Sequence, residues 1–427
     1  MSIMTKASAF RSRSLKASIA TGAILASAAL VLSGCSTPSD GGNGGGAVED
    51  LALTIGTALP QTGNLAFLGP PEEAGVAYAL SQINEATADT GLTLDVVYGD
   101  SGDTDNKAYE TEIPRLLGED VSAIIGAASS GTSLQFIDQV VGAGVIQFSP
   151  ANTSDAFSTY DDNGLYFRTA PSDVLQGEVL GNLIAEDGNA TLGMIVLNDS
   201  YGTGLAKYVT EAFEAAGGEV VAAPTYNTGD TIFTTQLSEV LAADPDAIAL
   251  ITFDEVSTIL PGLFGQFPAD KLYFVDGNLK NFADAFPAGS LTGAKGTLPG
   301  LSIDAIGDFT GQLDAFLADA GSDPLEDYSY AAESYDATVL LALAALAAGS
   351  TDGVEMAAKL QEVSGGSGDG EKCSSYADCA AIIVGGGVAD YDGISGPITF
   401  DEVGDPTEAS VGIYVYGEDN NYSAYNG

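Results

Sequence analysis

Strand and helix patterns alternate along most of this chain, and residues 123–156 show the alternation most clearly. The stretch reads AIIGAASSGTSLQFIDQVVGAGVIQFSPANTSDA. Residues 123–126 and 145–148 are apolar and strand-like, and the segment LQFIDQVV between them carries apolar residues at spacings of three and four, which is typical of a helix. The pattern predicts parallel strands joined by helices, which is a doubly wound α/β fold.

A loop of small and hydroxyl-bearing residues follows each of these two strands, at 127–132 and at 149–154. At the carboxyl ends of adjacent parallel strands, backbone N–H groups, helix N-termini and hydroxyls can converge on one small anion. Either loop alone is more often an ordinary βα turn. Two such loops at this spacing predict a carboxylate-binding site.

The body of the chain has a globular composition and is strongly acidic. Its 427 residues suit two domains of average size, and hydrophobic residues make up 45% and charged residues 17%. Beyond Cys35, nine Lys and Arg face 59 Asp and Glu, which gives a net charge of −50. Such a field repels nucleic acid and anionic lipid surfaces, so neither is an expected partner. It also suggests salty surroundings, in which counterions screen the repulsion.

The sequence contains no His and no Trp. The absence of His removes the commonest general base and the commonest neutral metal ligand, and with them Ser-His-Asp triads, Cys-His dyads and most zinc chemistry. P-loop, GxSxG and Cys-cluster motifs are also absent. We therefore expect a protein that is not an enzyme and holds no metal or cofactor. An enzyme with a Lys or carboxylate base is the alternative.

The first 34 residues have the pattern of a secretory signal peptide. Residues 1–16 carry four positive charges and no negative ones, and residues 17–34 are uncharged and apolar. The segment ends in Leu-Ser-Gly-Cys, which resembles the bacterial lipobox and implies acylation of Cys35. A transmembrane helix is the alternative. Residues 35–50 continue as a flexible, Gly-rich tether, so we expect attachment to the extracytoplasmic face of a bacterial cell membrane through a lipid anchor only.

Cys373 and Cys379 are the cysteines that remain beyond this anchor. In an oxidising compartment they are predicted to close a small disulfide loop, CSSYADC, that carries no chemistry. Two free thiols are the alternative.

The strand and helix pattern starts again after the segment YFRTAPSDVLQG, which indicates a second lobe. Motifs along the chain, LPQTGNLAFLG, AIIGAASSGTSL, IQFSPANTSD, NDSYGTGLA and YDGISGPITFDEVGD, together resemble the type I periplasmic binding proteins, in the Leu/Ile/Val-binding branch of ABC importer receptors. The resemblance implies two doubly wound α/β lobes joined by three crossovers, with a ligand cleft between them. It assigns residues 51–172 and 301–398 to lobe 1, and residues 173–300 and 399–427 to lobe 2.

The resemblance also implies which residues hold the ligand. In that family the two loops bind an amino-acid carboxylate, an acid after the Arg-Thr segment binds the ammonium, and a further acid follows a later strand of lobe 2. The implied contacts are Ser130, Ala151 and Thr153 for the carboxylate, Asp173 for the ammonium, Tyr201 on lobe 2, and one or more of Asp254, Glu255 and Asp276 as the further acid.

Several of these residues have a structural alternative. Asp173 could cap the helix that follows it, and Tyr201 could be a core ring beneath its loop. Asp254 and Glu255 could end a strand in solvent. Arg168 is interpreted as the structural partner of a nearby carboxylate and not as a ligand contact.

The expected function is that of a receptor that closes two lobes around a small amino acid, branched-chain or related, or an amide. It would deliver this small-molecule ligand to the membrane permease and the ATPase subunits of an ABC importer. Leu68, with Phe67 beside it, stands where the branched-chain amino-acid binder has an aromatic ring, so the ligand's side chain stays open. The alternatives are a ligand sensor without a transport role, or a receptor for urea, a short amide or an aromatic acid.

Overall fold

The structure is a computed structural model that describes residues 50–425. The predicted signal peptide, Cys35 and most of the tether lie outside the described residues.

Five parallel strands form the sheet of lobe 1, in the order β2-β1-β3-β4-β5. They are β1 (Leu51–Ala58), β2 (Leu92–Val97), β3 (Ala123–Gly126), β4 (Ile146–Ser149) and β5 (Tyr166–Arg168). The helices between them are α1 (Gly69–Glu85), α2 (Thr87–Thr90), α3 (Tyr109–Leu117) and α4 (Ser130–Gly142). Every residue of β3 and β4 is buried, because helices cover both faces of a parallel sheet.

The chain then enters lobe 2 and repeats the pattern. Its helices are α5 (Asp173–Glu186), α6 (Ser200–Ala215), α7 (Thr234–Ala242) and α8 (Val256–Leu263). Its strands are β6 (Thr191–Leu197), β7 (Glu219–Ala222), β8 (Thr225–Tyr226), β9 (Ala247–Ile251), β10 (Leu272–Phe274) and β11 (Lys295–Pro299). The strand order is β11-β10-β9-β6-β7, and β8 also pairs with β6.

After β11 the chain returns to lobe 1 and then crosses to lobe 2 once more. The returning part contains α9 (Gly307–Asp319), α10 (Ala331–Ala348), α11 (Gly353–Val363), β12 (Glu371–Cys373), α12 (Tyr376–Val384), β13 (Ala389–Gly393) and β14 (Gly396–Pro397). The last strands, β15 (Val411–Tyr416) and β16 (Tyr422–Ala424), extend the sheet of lobe 2, with β15 antiparallel to β11. The predicted two-lobed, doubly wound architecture is confirmed.

The helix α10 lies at the centre of lobe 1. It packs against α1, α11, α12 and the sheet, and all its residues from Ala331 to Ala345 are buried. Gly75 of α1 allows the two helices to approach closely, since a Cβ at this position would lie 2.2 Å from the carbonyl oxygen of Ala331 in α10. Among the described residues α10 is the helix long and apolar enough to span a bilayer, and 83% of it is buried inside the protein.

The predicted disulfide is confirmed. Cys373 at the end of β12 is bonded to Cys379 in α12. The bridge fastens this peripheral strand to the helix that packs on α10.

Candidate ligand-binding site

A small cavity lies between the lobes, at the carboxyl ends of both sheets. Its volume is about 10 Å³, about the space that one water molecule needs, so the lobes are closed against each other here. Lobe 1 contributes Leu65, Leu68, Ala128, Ser129, Ser130, Ala151 and Tyr330 to the wall, and lobe 2 contributes Tyr201, Phe253, Asp276 and Gly277. Ser130, Ala151, Tyr201 and Asp276 are among the residues that the sequence resemblance implied.

Ser130 joins the two loops that follow β3 and β4. Ser129 is the N-cap of α4 and accepts a hydrogen bond from the Thr132 N–H, which leaves Ser130 as the first helical residue. The Ser130 hydroxyl oxygen accepts hydrogen bonds of 3.3 Å from the N–H groups of both Thr153 and Ser154. The two loops therefore meet at Ser130, and Ser129, Ser130 and Ala151 of these loops line the cavity.

Buried hydrogen bonds hold the second loop rigidly. Asn152 donates to the carbonyl oxygens of Ala127 and Ala128 at 2.9 and 2.8 Å, and Arg168 donates to the Ser154 carbonyl at 2.8 Å. In contrast, the buried hydroxyl of Thr153 makes no hydrogen bond of regular geometry to the described residues, although it lies close enough to the Asp173 carboxyl to lower the pKa of that group.

Arg168 is confirmed as a structural residue. It is fully buried, and its guanidinium forms a two-pronged ion pair with Asp405 at 2.6 and 2.8 Å. Asp405 lies in the third crossover, between β14 and β15. The pair therefore ties the end of β5 to a segment that connects the lobes.

Asp173 is a buried carboxylate without a donor. It is the first residue of α5, and the helix cap is Ser172, whose hydroxyl accepts from the Val174 N–H. The alternative that Asp173 caps the helix is therefore wrong. Neither Asp173 oxygen receives a hydrogen bond of normal geometry from the described residues. Burial raises the pKa of Asp173 well above its usual value and the negative charge of Asp276 raises it further, while Thr153 and Arg168 lower it in part.

Asp276 differs from Asp173, because three neutral side chains donate hydrogen bonds to its carboxylate. It accepts hydrogen bonds from the Tyr201 hydroxyl at 2.6 Å, the Tyr330 hydroxyl at 2.8 Å and the Gln176 amide at 3.0 Å. Burial raises the pKa of Asp276, and these three donors oppose the rise. Tyr201 also stacks on Phe253, with ring centroids 5.3 Å apart, so this tyrosine is at once a core ring and part of the cavity wall.

Asp254 and Glu255 lie outside the cavity wall. Asp254 is partly exposed, pairs with Lys280 and accepts from Ser257. Glu255 is only 8% exposed. Its carboxylate accepts hydrogen bonds from the Asn64 amide at 2.6 Å, the Tyr226 hydroxyl at 3.2 Å and the Phe253 N–H at 3.2 Å.

Sequence reasoning missed several parts of the wall, above all Tyr330. This residue precedes α10 with a left-handed backbone, at φ 61°, and it reaches Asp276 from the other lobe. The sequence did contain a signal for Tyr330. It stands directly before a long apolar helix, and that helix must begin at the edge of the lobe 1 sheet where the cleft lies. Of the pair Phe67 and Leu68, Leu68 faces the cavity, whereas Phe67 faces Lys280.

Two doubly wound lobes that enclose a small cavity with both polar and apolar walls, and hydrogen bonds that join the lobes across it, define a two-lobed solute-binding protein. Residues 52–372 match the periplasmic binding protein family, and the chain belongs to that family.

Its similarities extend over most of its length. The substrate-binding protein BasB of a chemotactic signal transduction system in Halobacterium salinarum is 26% identical over 355 residues, which are 81% of this chain and 83% of BasB. A Leu/Ile/Val-binding protein homologue of Brucella abortus is 25% identical over 384 residues, which are 87% of this chain and 93% of the Brucella protein. The structure of the leucine-binding protein of Thermotoga maritima superposes with a TM-score of 0.69 at 20% identity, over 87% of this chain and 97% of that one.

Proposed function

We propose that this chain is an extracytoplasmic receptor for a small α-amino acid, which it delivers to an ABC importer. One observation carries the proposal: the hydroxyl-rich loops at Ser130 and Thr153 meet beside the cavity, and the buried carboxylate of Asp173, which lacks a regular donor, lies against the second loop, where the Asp173 N–H donates to the Thr153 carbonyl at 2.7 Å. An α-amino acid carries a carboxylate and an ammonium on the same carbon. Its two charged groups therefore match the chemistry of these two groups of residues, and the lobes must part to admit it, because the closed cavity has room for about one water molecule.

Closure explains how such a site gains affinity. A buried carboxylate without a partner is costly, because burial removes its water without replacing the lost hydrogen bonds. The ligand's ammonium supplies both the missing donors and the opposite charge, and so it lowers the raised pKa of Asp173. Binding and closure of the lobes are thereby coupled, with no covalent step.

The wall residues favour a small apolar side chain. Leu65, Leu68 and Phe253 present hydrocarbon to the cavity. Among related proteins, one from Pseudomonas aeruginosa named for binding leucine, isoleucine, valine, threonine and alanine is 30% identical over 193 residues, 45% of this chain and 51% of that protein. A solute-binding protein from Rhodopseudomonas palustris that shares the fold, with a TM-score of 0.65 at 18% identity, was solved with benzoate, so an aromatic acid belongs in any test.

Calorimetric titration with a panel of L-amino acids, their amides and benzoate tests the proposal. Wild-type protein should bind at least one small apolar amino acid, and Asp173→Asn should weaken that binding by about 2–5 kcal/mol, because the ammonium loses its charged partner. Asp161→Asn removes the same charge from an exposed position of lobe 1 and should leave affinity unchanged. Equal binding by Asp173→Asn and wild type would place the ammonium elsewhere, and binding of benzoate or an amide alone would overturn the amino-acid proposal.

A sensory role is the second candidate, since BasB belongs by name to a chemotactic system. Deletion of the gene separates the two roles. Loss of uptake of the bound amino acid with normal chemotaxis toward it supports the importer, and the reverse result supports the sensor.

We also propose that acylation of Cys35 holds the receptor on the extracytoplasmic face of the membrane. Processed Cys35→Ala protein should appear in the soluble extracellular or periplasmic fraction and bind ligand normally, because the Gly-rich sequence after Cys35 is predicted to separate the anchor from the receptor. Membrane retention of that processed variant would refute the anchor.

A further inference from the structure

We infer that Asn64 and Glu255 form a latch across the mouth of the cleft, which sets the affinity for ligand although neither side chain lines the cavity. The inference rests on the proposed function, because the latch acts on closure of the lobes around the same site. Asn64 lies in lobe 1, between β1 and α1, and Glu255 lies in lobe 2, between β9 and α8.

Two groups of Asn64 are bonded to the opposite lobe. The side-chain NH₂ donates to the Glu255 carboxylate at 2.6 Å, and the main-chain carbonyl oxygen accepts from the main-chain N–H of Asp254 at 3.2 Å. A hydrogen bond to a charged carboxylate is stronger than one between neutral groups. These two contacts therefore favour the closed arrangement and break when the lobes separate.

Each half of the latch is held in place within its own lobe. The Asn64 N–H donates to Asp103 of lobe 1 at 3.0 Å. Glu255 accepts from the Tyr226 hydroxyl and the Phe253 N–H of lobe 2, both at 3.2 Å. Because both partners are already oriented, closure orders few additional side chains, and most of the hydrogen-bond energy is available to hold the lobes together.

A cation–π contact between the lobes lies beside the Asn64 hydrogen bonds. The Lys280 ammonium of lobe 2 is 5.5 Å from the ring centroid of Phe67 in lobe 1, within the range of a cation–π interaction. Asp254 pairs with the same ammonium and so orients it toward the ring.

Latch residues and cavity residues alternate along the same two segments. In lobe 1, Asn64 and Phe67 are interleaved with Leu65 and Leu68, which line the cavity. In lobe 2, Glu255 lies two residues after Phe253 of the cavity wall. A ligand side chain that displaces the wall therefore also displaces the latch, and the latch discriminates between ligands by how well the lobes close on them.

Asn64→Asp tests the latch, because it replaces the donor with a carboxylate that faces Glu255 at nearly constant volume. The matched control is Asn163→Asp, which makes the same change at an exposed position of lobe 1. With L-isoleucine as the probe, we expect Asn64→Asp to weaken binding about 10- to 100-fold, as expected for the loss of a hydrogen bond to a charged group. Most of the change should be a faster dissociation rate, measured by stopped-flow tyrosine fluorescence, since the chain has no Trp. Asn64→Ala should give a smaller change in the same direction.

Small-angle X-ray scattering separates failure of the latch from failure of the proposed function. If wild type binds L-isoleucine, equal affinity and dissociation rate in Asn64→Asp and Asn163→Asp overturn the latch. If wild type binds no panel member, the proposed function fails, and scattering then decides: expansion of Asn64→Asp relative to a compact control supports the latch. Equal dimensions of the two variants, or a wild type whose scattering fits only separated lobes, overturn it. The comparison requires that Asn64→Asp and Asn163→Asp are both folded, which equal melting temperatures would show. If Asn64→Asp does not fold, Asn64→Ala takes its place in the same measurements.

Discussion

The hydroxyl of Tyr330 donates a 2.8 Å hydrogen bond to the carboxylate of Asp276, from one lobe to the other. Asp276 also accepts from Tyr201 and Gln176, whereas Asp173 receives no regular hydrogen bond from the described residues. The two buried acids therefore differ. Neutral donors hold Asp276, which lines the cavity, and no regular donor among the described residues holds Asp173, which lies against the loop at Thr153.

Tyr330→Phe should weaken ligand binding about 10- to 100-fold, because closure then lacks one hydrogen bond to a charged acceptor. Calorimetry with the best-bound amino acid measures the loss. Tyr98→Phe, at a half-exposed tyrosine of lobe 1, is the control and should bind as wild type does. A Tyr330→Phe protein with unchanged affinity would show that this contact does not contribute to closure.

Arg168→Met should lower stability by about 3–5 kcal/mol, because it leaves the Asp405 carboxylate and two loop carbonyls without their buried partner. The double variant Arg168→Met/Asp405→Leu should recover part of this loss. Thermal and urea unfolding measure both. A double variant as unstable as the single one would show that the carbonyl contacts at Asn152 and Ser154, and not the ion pair, carry the stabilisation.

We expect the free energy of unfolding to depend on pH through the carboxyl group of Glu333. This residue of α10 is buried, and burial raises the pKa of its carboxyl to about 8 from 4.5. The folded state therefore binds the proton more tightly than the unfolded state does. Its contribution to stability is lost as pH rises from about 4.5 through 8, by at most about 5 kcal/mol at 1.4 kcal/mol per pKa unit. Glu333→Gln, which has no charge to acquire, should be increasingly more stable than wild type across that window. A difference in melting temperature that does not change between pH 5 and 9 would contradict this.

The charge of −50 beyond Cys35 predicts that salt stabilises the protein. The melting temperature should rise as added salt shortens the Debye length from about 10 Å to about 3 Å. Potassium chloride between 0.1 and 1 M tests this without a specific ligand. A melting temperature that is indifferent to salt would show that the carboxylates are too widely spaced for their repulsion to matter.

The fold class and the positions of the two small-residue loops could be predicted from the amino-acid sequence alone. Alternating apolar strands and amphipathic helices are local patterns, and hydrophobic periodicity specifies which face of each element is buried. The loops at 127–132 and 149–154 follow directly from those elements, because they come at the carboxyl ends of neighbouring parallel strands. The pairing of Cys373 with Cys379 was equally local.

Which of the candidate acids lines the cleft depends on the packing of the two lobes. Asp254, Glu255 and Asp276 all follow strands of lobe 2, yet only Asp276 lines the cavity, because neighbouring residues at a strand end point in different directions. Tyr330 meets Asp276 across 54 positions of sequence and across the two lobes. No local pattern encodes such a contact, since it depends on how two separately folded sheets close on each other.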